Sequence, residues 1–262
     1  MYLFDPSEKP LDRMTECGGF SGIFRRIGCI GDSLAAGEFE SKRADGSTGF
    51  HDMLTYSWGS YIGRDTGADI VNMGRDLMTA EEFVTSYGDS MKFFDPAAAC
   101  QAYIVALGVN DLFTKGGELG SIADFRPDDP ERSAKNFAGY YGRLLSRLKA
   151  ISPRCRLFLV SMPRQECEGA WNPTVEAHRD LLVEMTGLFS HSYVLDLTEY
   201  FPVQNDEIRK LIYTGSHFNP MGYMYVARCF ESYIDWYIRR SPRDFAEVPF
   251  IGTDLSYYEV IK

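Results

Sequence analysis

The sequence predicts an α/β protein with a doubly wound parallel sheet, and two observations predict it. Short, nearly continuous apolar runs recur along the chain, and longer segments with helical spacing of apolar residues separate them. Apolar runs of this kind are typical of parallel strands that are covered on both faces of the sheet. Strands that alternate with amphipathic helices predict the doubly wound arrangement. The five predicted strands are residues 26–30, 68–73, 102–107, 157–162 and 193–197.

Local capping signals predict where the helices begin. Thr79 with Glu82 three residues later forms a capping box, in which the threonine serves the N3 amide. Asp129, Asn172 and Asn219 each precede a proline, which favours a helix start at each position. Apolar residues at helical spacing follow Asp129 and Asn219, so we expect long amphipathic helices there.

Length and pattern favour one main domain. A chain of 262 residues is long enough for one well-packed α/β domain and too short for two of ordinary size. We expect the domain to span residues 25–240, with an N-terminal extension (residues 1–24) packed on the core and a C-terminal tail (residues 241–262). Residues 38–57 interrupt the strand and helix alternation after the first strand.

Composition excludes several function classes. The formal charge of −10, with no lysine or arginine cluster beyond pairs such as Arg25-Arg26, argues against nucleic acid or an anionic membrane surface as partner. No apolar run reaches the roughly 20 residues that span a bilayer. Residues 1–10 lack the features of a signal peptide, and six scattered cysteines form no zinc or disulfide pattern. We therefore expect a reduced, cytoplasmic enzyme with several cysteines in its core.

Ser33 is the candidate nucleophile. It lies in Gly31-Asp32-Ser33-Leu34, directly after the first predicted strand, and doubly wound folds place their ligand crevice at such strand ends. A Gly-Asp-Ser sequence is by itself more often a simple turn. A serine hydroxyl also needs a base to take its proton, so the hypothesis depends on a partner.

Among the four histidines, His217 is the candidate base. His178 lies within a helical pattern and His191 at a helix end, where a core or solvated histidine is the commoner explanation, and His51 lies in a segment without a motif. His217 lies in a short loop just before the last predicted helix, from which it can face another strand end.

Three groups are candidate donors to an oxyanion. Asn110 follows the third strand within Gly108-Val109-Asn110-Asp111, and Gly74 ends the second strand with an amide that no side chain of its own obstructs. With the Ser33 amide these would form an oxyanion hole. Each could also be an ordinary turn at a strand end.

These residues together resemble the GDSL family of lipases and acylhydrolases, also called SGNH hydrolases. Ser33, Gly74 and Asn110 match the family's first three sequence blocks, and His217 with Asn219 and Gly222-Tyr223 resembles the last block, although Phe218 replaces the usual proline. The resemblance implies a three-layer, flavodoxin-like fold with strand order 2-1-3-4-5. It also implies Ser33 and His217 as catalytic residues, Ser33, Gly74 and Asn110 as oxyanion donors, and no metal or cofactor.

The sequence departs from the family at one position. The family usually carries an aspartate three residues before the histidine, and here that residue is Thr214. A main-chain carbonyl near Thr214 could orient His217 in a Ser-His dyad, Asp206 or Glu207 could approach from upstream, or the site could be inactive.

The resemblance, together with the polar residues expected around the pocket, favours an esterase that cleaves a short acyl group, such as acetyl, from a polar or carbohydrate alcohol. The segments expected to shape the pocket are residues 38–57, 112–130 and 164–172. Five aromatic residues lie in or beside these segments: Phe50, Trp58, Phe113, Phe125 and Trp171. Aromatic residues at such positions often serve packing alone. Two alternatives are a non-catalytic, ligand-binding member of the fold and an FMN or nucleotide protein, the latter disfavoured because the first strand end lacks a phosphate-binding glycine loop.

Overall fold

A computed structural model of the chain describes residues 5–256, so the first four residues of the expected extension and residues 257–262 of the expected tail lie outside the described part. Helices and strands alternate along the described chain. The strands are β1 (Arg26–Gly31), β2 (Glu38–Lys42), β3 (Thr48–Asp52), β4 (Asp69–Gly74), β5 (Ala102–Ala106), β6 (Arg156–Val160), β7 (Ser192–Leu195), β8 (Tyr213–Thr214) and β9 (His217–Phe218). The α-helices are α1 (Ser33–Ala36), α2 (Trp58–Thr66), α3 (Ala80–Glu82), α4 (Gly88–Ser90), α5 (Phe137–Ile151), α6 (Trp171–Thr186), α7 (Leu197–Tyr200), α8 (Asp206–Ile212), α9 (Pro220–Arg240) and α10 (Pro242–Phe245).

The central sheet has five parallel strands in the order β4-β1-β5-β6-β7. Counted along the chain among these five strands, that order is 2-1-3-4-5, which confirms the predicted topology. All five predicted strands are present, with ends that shift by one or two residues. Gly31, at the end of β1, lies beside Gly74 of β4 and Ala106 of β5, so the segments that follow these strands start from one edge of the sheet.

Two apolar cores lie on the two faces of the sheet and make the fold three-layered. One contains residues of α2 and α9 with Ile27 and Phe158, and the other contains residues of α5 and α6 with Ile30 and Tyr103. Alternate residues of a strand point to opposite faces, which is why Ile27 and Ile30 belong to different cores. Four cysteines (Cys29, Cys100, Cys155 and Cys229) are buried, as expected, and all six are free thiols.

The capping predictions have mixed outcomes. Thr79 caps α3 by accepting from the Glu82 amide, and Asn219 caps α9 by accepting from the Gly222 amide, which confirms both starts. The prediction at Asp129 is wrong, because only one 3-10 turn (Pro130–Arg132) follows it and α5 begins after Asn136. The prediction at Asn172 is also wrong, because α6 begins at Trp171 and the Asn172 side chain bonds the Gln165 main chain instead.

Residues 38–52 form a β-hairpin that we did not predict from the sequence, and a 3-10 turn (Leu54–Tyr56) follows it. Strands β2 and β3 pair antiparallel, with Glu40 opposite Phe50. A second, two-residue hairpin joins β8 to β9 through Gly215 and Ser216. These two hairpins lie against each other and position the residues of the site.

Candidate active site

Ser33 is placed by the start of the short helix α1. Asp32 caps this helix, its carboxylate accepting from the Leu34 amide at 3.0 Å. This cap fixes the turn immediately after β1 and leaves Ser33 half-buried at the edge of the sheet. Burial raises the pKa of Asp32 to about 6.

His217 is brought to Ser33 from the other end of the chain. It is the first residue of β9, and Asn219 two residues later fixes the start of α9 while also donating to the Leu211 carbonyl at 2.8 Å. In this position His217 Nε2 lies 2.9 Å from Ser33 Oγ. The imidazole is therefore within hydrogen-bond distance of the hydroxyl whose proton a base must take.

Two carboxylates from strand β2 flank the imidazole, one at each ring nitrogen. Glu40 Oε1 lies 3.2 Å from Nδ1, and Glu38 Oε1 lies 3.2 Å from Nε2. The hydrogen bond from the Ser216 hydroxyl is the main cause that lowers the pKa of Glu40. Burial is the main cause that raises the pKa of Glu38. Sequence reasoning missed both residues, although the Asp45-Gly46 turn signal between two short alternating runs is typical of a hairpin.

The structure brings none of Thr214, Asp206 and Glu207 to Nδ1 of His217. Thr214 is exposed and pairs with His217 across the β8–β9 ladder, whereas Asp206 and Glu207 lie in the first turn of α8. Nδ1 instead lies 3.2 Å from Glu40 Oε1 and 3.1 Å from the Ser216 hydroxyl, because β2 lies directly against the β8–β9 hairpin.

Two candidate oxyanion donors follow β1 and β5 and the third, Gly74, ends β4, but two of the three are engaged in other hydrogen bonds. Asn110 is buried in a π-helical turn (Asn110–Thr114), with Nδ2 donating to the Met78 carbonyl at 3.3 Å and Oδ1 accepting from Thr114. The Gly74 amide donates to the side chain of Asn72 at 2.9 Å.

The glycine at position 74 is also required by packing. A Cβ added to it would lie 2.6 Å from the Ala36 nitrogen, closer than Cβ atoms approach other heavy atoms, so β4 could not lie as near to α1 with any other residue.

The other three histidines contact residues other than Ser33 and His217. His178 is fully buried in α6 against Phe137, and burial lowers its pKa to about 4, so it is a neutral core residue. His51 on β3 lies 2.8 Å from the Ser41 hydroxyl. His191 lies between α6 and β7, with Nε2 3.5 Å from Glu247.

The five aromatic residues in or beside the expected rim segments divide into two groups. Trp58 packs edge-on against Phe230, and Phe125 stacks on Phe189; both are buried. Phe113 and Trp171 stack on each other with ring centroids 4.1 Å apart, and the Phe50 and His217 rings pack in a T-shaped arrangement with centroids 5.8 Å apart.

An apolar cavity lies beside the Ser33–His217 pair, and a polar pocket adjoins that cavity. The cavity of about 190 Å³ is lined by the two neighbours of Ser33 in sequence, by Ser216 and by apolar side chains that include Val109, Met162 and Leu197. The polar pocket, about 590 Å³, shares the lining residues Gln165, Arg209 and Ser216 with this cavity. Its other lining residues are Glu166, Gln204, Asn205 and Asp206.

A serine hydroxyl bonded to an imidazole at the strand ends of a doubly wound sheet defines the class of serine hydrolases. Within that class, the chain belongs to the GDSL-like lipase/acylhydrolase family, whose sequence profile matches residues 29–225. It is therefore a serine hydrolase of carboxylic esters. Among the described residues, no group of three or more histidine, cysteine or acidic side chains could hold a metal ion. Over the same residues, no helix is both long and apolar enough to cross a membrane.

Solved structures with this fold are similar to the chain at low sequence identity. A lipolytic protein of the G-D-S-L family from Desulfitobacterium hafniense is 16% identical, with a TM-score of 0.51, over 79% of this chain and 98% of its own. A protein from Chitinophaga pinensis described as a possible lipase is 14% identical, with a TM-score of 0.57, over 83% and 98%. A family 3 carbohydrate esterase from Clostridium thermocellum is 15% identical, with a TM-score of 0.53, over 83% and 98%. No curated protein matches the chain by sequence.

Proposed function

We propose that this enzyme removes a short acyl group, acetyl at the small end of the range, from a polar or carbohydrate alcohol. The observation that carries the proposal is the 2.9 Å contact between Ser33 Oγ and His217 Nε2 at the edge of the sheet. Ser33 attacks the ester carbonyl while His217 takes its proton, the alcohol leaves with that proton, and water releases the acyl group from Ser33.

In this proposal, the amides of Ser33 and Gly74 and the side chain of Asn110 stabilise the oxyanion. The Asn110 amide carries two N–H groups, and one of them donates to Met78, so the other can serve the oxyanion. Gly74 has a single N–H, which donates to Asn72, so it contributes only when that bond is shared or broken.

The size of the apolar cavity supports a short acyl group. A cavity of about 190 Å³ is somewhat larger than an apolar cavity of ~150 Å³ that binds benzene, a six-carbon molecule. Acetyl to about hexanoyl groups fit this volume, whereas a palmitoyl chain does not.

The surroundings of the cavity support a polar alcohol. The adjoining pocket is lined entirely by polar or charged side chains, which can donate to and accept from hydroxyl groups. The carbohydrate esterase among the solved structures has this fold, and we take its title only as a guide to which substrates to test.

A panel of p-nitrophenyl esters from acetate to palmitate, compared with acetylated sugars, tests this proposal. We expect kcat/KM to be highest at or below six carbons and to fall steeply beyond, and we expect acetylated sugars to be cleaved. A maximum at palmitate, or failure to release acetate from every acetylated sugar, contradicts the proposed substrate class. Ser33→Ala on the same panel controls for contaminating esterases.

A further inference from the structure

We propose that Glu40 is the positioning residue of His217 and replaces the aspartate that the family carries where this chain has Thr214. This inference rests on the proposed function of Ser33 and His217. Its first support is distance: Glu40 Oε1 lies 3.2 Å from His217 Nδ1, the nitrogen opposite the one that contacts Ser33. A group at this place holds the ring orientation and stabilises the imidazolium that forms when Ser33 attacks.

The β2–β3 hairpin delivers this carboxylate. Strand β2 follows α1 directly, so Ser33 and Glu40 lie in one short stretch of chain. The hairpin is tied to α9 because the Tyr223 hydroxyl donates to the Glu38 carbonyl at 2.6 Å. The rings of Phe50, the cross-strand partner of Glu40, and His217 pack in a T-shaped arrangement. The hairpin therefore holds the ring through packing as well as through the carboxylate.

The turn between β8 and β9 is shaped to receive Glu40. Ser216 donates both its backbone N–H and its hydroxyl to Glu40 Oε1, the oxygen that also faces Nδ1. Gly215 has φ +70°, and a Cβ added to it would lie 2.6 Å from Oε1 and closer still to the rest of the carboxylate. The glycine thus leaves the space that the carboxylate occupies.

The two acidic residues of β2 have different relations to the ring. The Ser216 hydrogen bonds favour the ionised form of Glu40, so it can stabilise a positive ring. Glu38 faces Nε2, the nitrogen that must exchange a proton with Ser33, and it therefore cannot fix the proton on Nδ1.

The kinetic test compares Glu40→Ala, Glu40→Gln and the control Ser41→Ala on one activated short-chain ester. Ser41 is the neighbour of Glu40 on β2 and bonds His51, so its replacement perturbs the same strand without touching His217. We expect Glu40→Ala to lower kcat by roughly 10²- to 10⁴-fold, toward the effect of disabling a triad aspartate, with little change in KM. Glu40→Gln, which keeps an acceptor oxygen but loses the charge, should lie between the wild type and Glu40→Ala.

A far-downfield proton NMR resonance from Nδ1–H provides a readout that does not depend on activity. We expect it in the wild type and in Glu38→Gln, and we expect its loss in Glu40→Ala while circular dichroism shows that the variant remains folded. Glu40→Ala retaining more than a tenth of the wild-type kcat, or keeping the resonance, overturns the proposal. If the wild type cleaves no ester but shows the Glu40-dependent resonance, the proposed function fails while the contact stands.

Discussion

Replacing Gly215 with alanine tests whether the turn before His217 exists to admit Glu40. The added Cβ would lie 2.6 Å from Glu40 Oε1 and closer still to Oε2, and Cβ atoms essentially never lie within 3.0 Å of another heavy atom. The carboxylate must therefore retreat by more than the roughly 0.4 Å that Oε1 alone requires. A retreat away from the turn lengthens the 3.2 Å contact with Nδ1 beyond hydrogen-bond distance. The φ of +70° adds a conformational cost of roughly 1–2 kcal/mol to the folded state.

Gly46→Ala is the matched control for this change. Gly46 lies in the turn of the β2–β3 hairpin with φ +82°, and a Cβ added there meets nothing within 4 Å. Both variants should lose a similar amount of unfolding free energy in urea. Only Gly215→Ala should also lose kcat on an activated ester, by nearly as much as Glu40→Ala. Combining it with Glu40→Ala should add little further loss, because both changes remove the same contact. Equal kcat values in Gly215→Ala and Gly46→Ala would refute this explanation.

Three further predictions concern other parts of the molecule. Asn110→Ala should lower kcat by about 10²–10³-fold with little change in KM, because the proposed bond strengthens in the transition state, and a raised KM alone would move Asn110 to substrate binding. Thr214→Asp should leave kcat unchanged or raise it modestly, since Glu40 already faces Nδ1. Asp206→Ala and Glu207→Ala should each lower kcat only slightly. A large loss of kcat in either of these two variants would contradict the account. Burial raises the pKa of Glu231 from 4.5 to about 8, so the folded state binds this proton more tightly than the unfolded state does. The free energy of unfolding should therefore fall as the pH rises from 6.5 to 8, by up to ~1.4 kcal/mol per pH unit. Glu231→Gln should remove this slope in urea titrations, and an unchanged slope would show that the carboxyl is not buried as described.

Much of the fold could be predicted because its signals are local. Each central strand is a short, nearly continuous apolar run, and Thr79 and Asn219 are caps whose partners lie three residues away. The prediction at Asp129 failed although the same signal was present, because α5 takes its cap from Asn136. A capping residue before a proline therefore favours a helix start without specifying how long the helix becomes.

The residues of the site could likewise be predicted where their signal is local in sequence, and not where it depends on contacts between distant parts of the chain. Ser33 and His217 could be proposed because each lies beside a predicted strand or helix end and within a motif. Glu40 could not, because its role depends on a hairpin that folds back against a turn 175 residues later in the chain. The sequence contains the Asp45-Gly46 turn signal for that hairpin, but nothing in it specifies which side chain of β2 meets Nδ1.

Covalent labelling of Ser33 tests the central claim most directly. The wild type and Ser33→Ala are incubated with a fluorophosphonate, and the adduct is located by peptide mass spectrometry, with ester hydrolysis measured in parallel. We predict one adduct per chain on Ser33, no adduct in Ser33→Ala, and loss of hydrolysis by several orders of magnitude in a variant that remains folded. An adduct on another residue, or more than a tenth of the wild-type rate in Ser33→Ala, would contradict the assignment of Ser33 as the nucleophile.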